Sequence, residues 1–375
     1  DEEWRLTDIS KLEKSLNLNQ VKKESVQKTF EVEKLLIPKP QHGVRIFLDS
    51  INDSLSSINL PKGIRRLSSV ELNEKLKQSL DKYKLNQKWS IGMNFASTDQ
   101  IIGISVESND IPPIELVIQG IPNTFTSTRV ILMVKKNIRL DLLEVSIGSD
   151  NSAQNHLIEI DLESHSSLNH GLIAIGKNNS TFIANILVNQ ETKSDYSLTN
   201  VQEGLAFSRL EPQINQNNGQ ANTIIKGLQV CKERQQLATH SDVTFNGPEG
   251  SLDQLQKTVA QDSSHSIFNG AIKVPKKAQR TNASQLSRNL LLSKTSRIDT
   301  KPELEIIADD VRCTHGATIT QLQEDELFYL RSRGISNTQS AALLLNGYCN
   351  EIIEKLPVEA SRWKLEERIL SNPST

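Results

Sequence analysis

The chain has 375 residues and a formal net charge of −2 at pH 7. This length is enough for two or three domains or for one long repetitive body. The near-neutral charge gives no general attraction to nucleic acid or to an anionic membrane, so we expect neither as a partner. Aromatic residues make up only 4% of the chain, and the plentiful Asn, Gln and Ser suit polar turns and solenoid surfaces better than a compact globular core.

Three cysteines occur in the chain, Cys231, Cys313 and Cys349. Such a sparse, odd set argues against a disulfide framework and for a reducing compartment. We find no signal peptide and no apolar run near the length of a bilayer span, and we therefore predict a cytoplasmic location. The chain opens at Asp1 rather than Met, so we expect an upstream segment to be missing.

Residues 1–88 are predicted to form an N-terminal helical domain. Apolar residues recur every three or four positions from Ile9 to Leu16, which is the spacing of one helix face. A second amphipathic helix is predicted over 69–80. Between the two helices, the run GVRIFL at 43–48 is short-stranded or irregular.

Short apolar runs dominate residues 89–320, and no helical pattern interrupts the run of strands. The centres of six of them lie near Leu116, Leu132, Val145, Glu159, Ile173 and Ile186. The steps between these centres are 13–16 residues, and Asn, Ser, Gly and Asp fill the turns. Regular short strands admit a sandwich or barrel as well as a stacked β-solenoid, and the near-constant step favours the solenoid.

Four histidines in this region carry no motif. His165 and His170 flank a polar turn and are expected to face solvent. His240 and His265 bound a polar, patchy stretch and are also expected at the surface.

The pattern turns helical near the end, and residues 321–375 are predicted to form a C-terminal helical domain. Its first helix is expected to begin near Glu324 and to stop at Gly334. Two further helices are predicted over about 338–356 and 358–370. Three short helices at this position would cap the open edge of a solenoid.

The segment 301–335, KPELEIIADDVRCTHGATITQLQEDELFYLRSRGI, contains the candidate site. If it is extended, Cys313 and His315 share one face with their Cα atoms about 7 Å apart. A thiol and an imidazole at that distance can reach one soft metal or sulfur species. The alternative is that Cys313 is a small buried hydrophobe, because C-x-H is not a standard zinc pattern.

This segment resembles the C-terminal signature of the SufB/SufD family of iron–sulfur cluster assembly proteins. The family pattern runs roughly KPxLEIxADDVxCSHGAT, followed by an acidic stretch and LFYLRSRGI. Here Thr314 replaces the usual Ser, and Thr320 stands where Gly is common. The match is strong over about 268–335 and weaker elsewhere. It implies a mainly β protein, with a right-handed parallel β-helix (solenoid) core flanked by N-terminal and C-terminal α-helical domains.

The resemblance also implies a non-catalytic scaffold subunit in a complex of SufB, SufD and the ATPase SufC. The chain is short and has few cysteines, and in both respects it is more similar to the SufD branch of the family than to the SufB branch. A SufB-type subunit is the alternative. His315, as a metal ligand, and Cys313 would contact a transient iron–sulfur cluster or iron at the interface with SufB. This chain alone would bind no cofactor stably, since one Cys and one His cannot complete a cluster site. The C-terminal helical domain would bind SufC, through Phe328, Tyr329, Arg331 and Arg333.

Two further alternatives stay open. The chain, purified alone, is expected to form a homodimer through the edge that SufB would occupy. A polysaccharide-active β-helix enzyme is the competing function from another class, and it would need charged residues aligned on neighbouring coils with aromatic sugar platforms. If the source is a photosynthetic eukaryote, the resemblance places the protein in the plastid stroma.

Overall fold

The computed structural model describes most of the chain. The described residues are 37–370 without 49, 51, 57, 83–87 and 178, together with 7, 10, 12, 13 and 18–20. The predicted first helix therefore lies largely outside the described residues.

Strands make up 48% of the described chain. Their bounds are β1 Asn19–Gln20, β2 Val44–Leu48, β3 Ile64–Arg66, β4 Ile101–Val106, β5 Ile114–Gln119, β6 Thr124–Val134, β7 Arg139–Ile147, β8 Ala153–Leu162, β9 Ser167–Ile175, β10 Thr181–Gln190, β11 Asp195–Glu203, β12 Phe207–Gln216, β13 Asn222–Cys231, β14 Gln236–Phe245, β15 Ser251–Ala260, β16 His265–Val274, β17 Asn282–Leu291, β18 Arg297–Ile306 and β19 Arg312–Thr320. The helices are α1 Ser69–Lys82, α2 Trp89–Ser97, α3 Glu324–Ser332, α4 Asn337–Ile353 and α5 Leu365–Leu370, with a 3-10 helix at Val358–Trp363.

Consecutive strands alternate between two sheets. One sheet runs β18-β16-β14-β12-β10-β8-β6-β4-β3, with β1 beside β6, and the other runs β19-β17-β15-β13-β11-β9-β7-β5-β2. Each strand from β4 onward pairs in parallel with the strand two places along the chain. This is a parallel β-solenoid of about eight coils, so the predicted solenoid is confirmed over the sandwich.

One coil contains two strands. Asn151 donates a hydrogen bond of 2.8 Å to Asn123, which lies 28 residues earlier on the neighbouring coil. The step of about 14 residues in the sequence is therefore half a coil. Asn tolerates the left-handed backbone that these turns use, and both residues have positive φ, 58° at Asn123 and 53° at Asn151.

Successive side chains of each strand point to opposite faces of its sheet. Ile158, Ile160 and Leu162 of β8 point into the solenoid and belong to its main core. The outer face of the same strand is covered by α2, where Ile91 packs against Leu157. The sequence pattern did not predict α2, because its short run of apolar residues resembles the strands that follow it.

The C-terminal helices lie along the outer face of the odd-numbered sheet. Cys349 and Ile352 of α4 share a buried cluster with Val201 and Leu228 of that sheet. Lys257 Nζ donates to the Tyr348 carbonyl oxygen at 2.8 Å and secures α4 there. The predicted C-terminal helices are present, but the expectation that they cap the open end of the solenoid is wrong. Instead, α4, the 3-10 helix and α5 cover a sheet face. At the end of the solenoid, β18 and β19 have no strand beyond them among the described residues.

A buried cluster of one carboxyl group and two imidazoles lies inside the solenoid. Glu144 Oε2 is 3.4 Å from His156 Nε2 and 3.7 Å from His170 Nε2, and all three side chains are fully buried. His156 Nδ1 bonds Thr128 Oγ1 at 2.8 Å, and His170 Nδ1 bonds the Tyr196 hydroxyl at 3.0 Å. The prediction that His170 faces solvent is therefore wrong, because its position in β9 turns it inward.

The polar stretch bounded by His240 and His265 is also built into the solenoid, as β14 and β15. Both histidines are only partly exposed, so their placement at the open surface is corrected. Burial, and then the nearby Arg209, lower the pKa of His240 to about 3. His265 Nε2 lies 2.7 Å from Asp299 Oδ2. None of the described helices is both long enough and apolar enough to cross a bilayer.

Candidate functional site at the last coil

The last strand, β19, presents the candidate residues. It is extended from Arg312 to Thr320 and pairs with β17 on one side only. Cys313 is in register with Ala283, and His315 with Gln285. Since Ala283 belongs to the solenoid core, Cys313 and His315 both face the interior at the open end of the last coil.

Cys313 is half-buried and packs against the solenoid core. Burial raises the pKa of its thiol, and a backbone hydrogen bond with Ala283 offsets part of that effect. The thiol is therefore protonated at neutral pH, and it needs a metal ion or a nearby cation to become a thiolate ligand. The functional and the packing interpretations of Cys313 are both compatible with this position.

His315 is exposed at the mouth of the solenoid, whereas its register neighbour Gln285 is fully buried. A neutral imidazole in this position can bind a metal ion or carry a proton. In the described part of the chain, no three His, Cys, Asp or Glu side chains converge as a metal site. The last coil therefore offers two ligands, one thiol and one imidazole.

Exposed apolar residues lie on the last coil and on the strand beside it. Ile307 is 57% exposed and Ile319 is 47% exposed, and Ile306 and Leu286 are exposed nearby. The two strands of the last coil, β18 and β19, also leave one side of their backbone hydrogen-bonding groups unpaired among the described strands. An open strand edge with exposed apolar residues is a template for another chain.

The next helix, α3, contains no buried residue. Phe328 is 65% exposed and Tyr329 is 58% exposed. The Arg333 guanidinium lies 5.3 Å from the centre of the Tyr329 ring, and Arg331 is exposed in the last turn of α3. All four residues predicted to contact a partner are therefore exposed on α3 or at its C-terminal end.

The sequence reasoning missed the residues behind the site. Gln285 and Gln254 are fully buried in the column that ends at His315. Nothing in their local sequence distinguishes them from surface glutamines. Only the stacking of coils turns their side chains inward.

Comparison with known proteins decides the family. The SufBD core domain of the SUF system for FeS cluster assembly matches residues 116–348. An iron–sulfur cluster assembly SufBD family protein of Synechocystis is 31% identical over 98% of this chain and 85% of its own length. This chain belongs to the SufB/SufD family. The resemblance in segment 301–335 is thus confirmed, and it favours iron–sulfur cluster assembly over the polysaccharide-active alternative.

Other relatives match shorter parts of the chain. A chloroplastic ABCI7 protein of Arabidopsis thaliana is 34% identical over 62% of this chain and 50% of its own length. SufD of Escherichia coli is 40% identical over 31% of this chain and 27% of its own length. The chain therefore spans half or less of these two relatives.

Proposed function

We propose that this chain is a SufD-type scaffold subunit that docks to SufB through its last coil, where a nascent iron–sulfur cluster is assembled. The observation that carries the proposal is the juxtaposition of Cys313 and His315 at an open solenoid end with exposed apolar residues. Relatives named SufD in Escherichia coli and Bacillus subtilis favour the SufD type over the SufB type. On this proposal the chain catalyses no reaction by itself.

The partner on the last coil is a sister solenoid. Ile306, Ile307 and Ile319 expose apolar surface that a second apolar surface would bury. The strand edges can pair with the edges of another last coil, because both present unsatisfied backbone groups. In the absence of SufB, a second copy of this chain is expected to occupy the same edge.

Iron and sulfide are the cargo of this site. Iron–sulfur clusters are normally held by thiolates, and the last coil contributes only Cys313 and His315. SufB would therefore supply the remaining ligands across the interface. The raised pKa of Cys313 fits such a site, since its thiol would lose its proton only as iron binds.

The proposed docking surface for the ATPase SufC is α3. Its aromatic residues Phe328 and Tyr329 are largely exposed, and it follows β19 directly in the chain. A movement imposed on α3 would therefore reach the last coil through a connection of three residues, 321–323.

Three further features belong to the proposal. The solenoid winds right-handedly, as nearly all parallel crossovers do. Residues 1–88, 89–320 and 321–375 act as an N-terminal helical, a solenoid and a C-terminal helical domain, although the first of these also adds β1, β2 and β3 to the two sheets. The protein works in the cytoplasm, or in the plastid stroma if its source is a photosynthetic eukaryote, as the name of the chloroplastic Arabidopsis relative suggests.

The role of His315 can be tested in the complex co-expressed with SufB and SufC. His315→Ala should weaken iron retention by about tenfold or more, because even residues that only orient a ligand have effects of that size. Assembly of the complex should be unchanged. Iron and sulfide per complex would be measured after size-exclusion chromatography, with exposed His42→Ala as the control. Equal iron and sulfide in both variants would remove His315 from the site.

The SufC surface has its own test. Arg331→Glu and Arg333→Glu should each weaken SufC binding by about tenfold or more, the loss expected for an arginine at the centre of an interface. Affinity would be measured by titrating purified SufC onto the immobilised chain. Arg139→Glu, an exposed arginine at the start of β7, is the control. Normal SufC affinity of both α3 variants would show that these arginines act only within α3 and do not contribute to SufC binding.

A further inference from the structure

A column of polar side chains runs inside the solenoid to His315. Gln254 of β15 is in register with Gln285 of β17, and Gln285 is in register with His315 of β19. Residues paired in parallel strands face the same side, so these three positions lie on the inward side of their strands. Gln254 is 1% exposed and Gln285 is fully buried.

The hydrogen bonds in this column have one direction. Gln254 Nε2 donates to Ser241 Oγ at 2.7 Å, and Gln285 Nε2 donates to Gln254 Oε1 at 2.9 Å. Each amide therefore donates to a residue nearer the start of the solenoid and offers its carbonyl oxygen to the next coil. With this direction, Gln285 uses its Nε2 toward Gln254 and leaves its Oε1 for the next coil.

The last acceptor of the column has no donor. Gln285 Oε1 is buried and has no hydrogen-bond partner among the described residues. Buried acceptors are nearly always paired, because leaving one unpaired is unfavourable. The next position in the column is His315, whose imidazole can supply a ring N–H donor.

The opposite sheet leaves room for the Gln285 amide. A Cβ atom added at Gly270 would collide with Gln285 Nε2. The absence of a side chain at Gly270 thus lets Gln285 lie across the solenoid interior at the level of the coil before the last. The amide is held by Gln254 on one side and by the shape of the interior on the other.

We propose that Gln285 is a positioning residue for His315: its Oε1 accepts a hydrogen bond from one ring N–H of His315 when the imidazole turns inward. This bond fixes one tautomer of the neutral ring, so the other ring nitrogen keeps its lone pair for iron. The role of Gln285 toward iron rests on the proposed function, whereas the hydrogen bond between Gln285 and His315 does not.

The hydrogen bond is tested in the chain alone. The chain has seven histidines, so selective ¹⁵N labelling of histidine gives few signals, which alanine variants assign. Long-range ¹H–¹⁵N correlation should show a single tautomer for His315, and Gln285→Met should convert it to a mixture of both. Gln256→Met, a buried glutamine of the adjacent column, should leave the His315 tautomer unchanged. A mixture in the unmodified protein, or one tautomer retained in Gln285→Met, would overturn the inference.

The role toward metal is tested in the complex with SufB and SufC, using Co²⁺ as the probe. Gln285→Met should weaken Co²⁺ binding by about 10–100-fold, and it should have no additional effect in a His315→Ala background. An equal loss in both backgrounds would show a merely structural role for Gln285. Unchanged Co²⁺ binding in His315→Ala, with the tautomer result intact, would contradict the proposed function while leaving the hydrogen bond established.

Discussion

Replacing Glu115 with alanine should lower the free energy of unfolding by about 3–5 kcal/mol, the usual loss when one member of a buried ion pair is removed. Glu115 is fully buried on the outer face of β5. Its carboxylate accepts from Arg45 Nε at 2.8 Å, from Arg362 Nη2 at 3.2 Å and from Trp363 Nε1 at 3.0 Å. The substitution would leave two guanidinium groups without this anion in a largely dry environment.

The loss should also loosen the C-terminal segment. Arg45 belongs to β2, while Arg362 and Trp363 belong to the 3-10 helix, so Glu115 joins both ends of the described chain to the solenoid. Urea unfolding would give the change in free energy, and limited proteolysis would show earlier cleavage near the 3-10 helix. Glu367→Gln removes an ion pair with Lys364 that is exposed on both sides, and it should change stability by less than about 1 kcal/mol. Equal unfolding midpoints for the two variants would refute the role of Glu115.

Replacing Glu144 with leucine should also lower the free energy of unfolding by about 3–5 kcal/mol. Leucine keeps most of the side-chain volume but leaves the Nε2 atoms of His156 and His170 facing an apolar group. Because each coil contacts mainly its neighbours, the damage should concentrate around β7, β8 and β9. Hydrogen exchange would therefore show faster amide exchange in these strands than in β15 or β17.

The contribution of Glu144 to stability should decrease as the pH falls. Burial alone would raise the pKa of this carboxyl, but His156 and His170 outweigh it and hold the pKa at about 2, below the ordinary 4.5. The folded protein thus binds this proton less readily than the unfolded chain, so the carboxylate stabilises the fold above about pH 4.5. That contribution is lost as the pH falls from about 4.5 toward 2.

Acid unfolding of the two proteins measures this contribution. Between pH 4.5 and 2, stability should fall more steeply in the unmodified protein than in Glu144→Leu. Glu163→Gln, which removes a half-exposed ion pair with Lys135, should follow the unmodified protein. Parallel acid-unfolding curves for Glu144→Leu and the unmodified protein would contradict the assignment.

The local sequence pattern was enough to predict the repeating strands of the solenoid. The apolar runs centred near Leu132 and Glu159 lie within β6 and β8. A strand exposes successive side chains to opposite faces, so the period of two is visible without knowledge of the fold. The helix over 69–80 and those after residue 323 were equally visible, because a helix face repeats every three to four residues.

The candidate site was predictable only in part. The strand containing Cys313 and His315, and their shared face, follow from alternation. The exposure of α3 did not follow from its sequence, because the apolar residues Leu327 and Leu330 suit a buried helix equally well. The expected cap failed for the same reason: apolar residues in helices show that a surface will be covered, but not which surface.

The sequence by itself therefore determined the strand period, the helices, the family signature and the pairing of a thiol with an imidazole on one strand. The tertiary structure alone decided that the C-terminal helices cover a sheet face, that the last coil stays open, and that Glu144, His170 and Gln285 are buried. The physical reason is that inward or outward placement of a polar side chain depends on contacts between coils that lie about 28 residues apart in the chain. Short-range propensities do not report such contacts, because a polar residue has the same local preferences on either face of a strand.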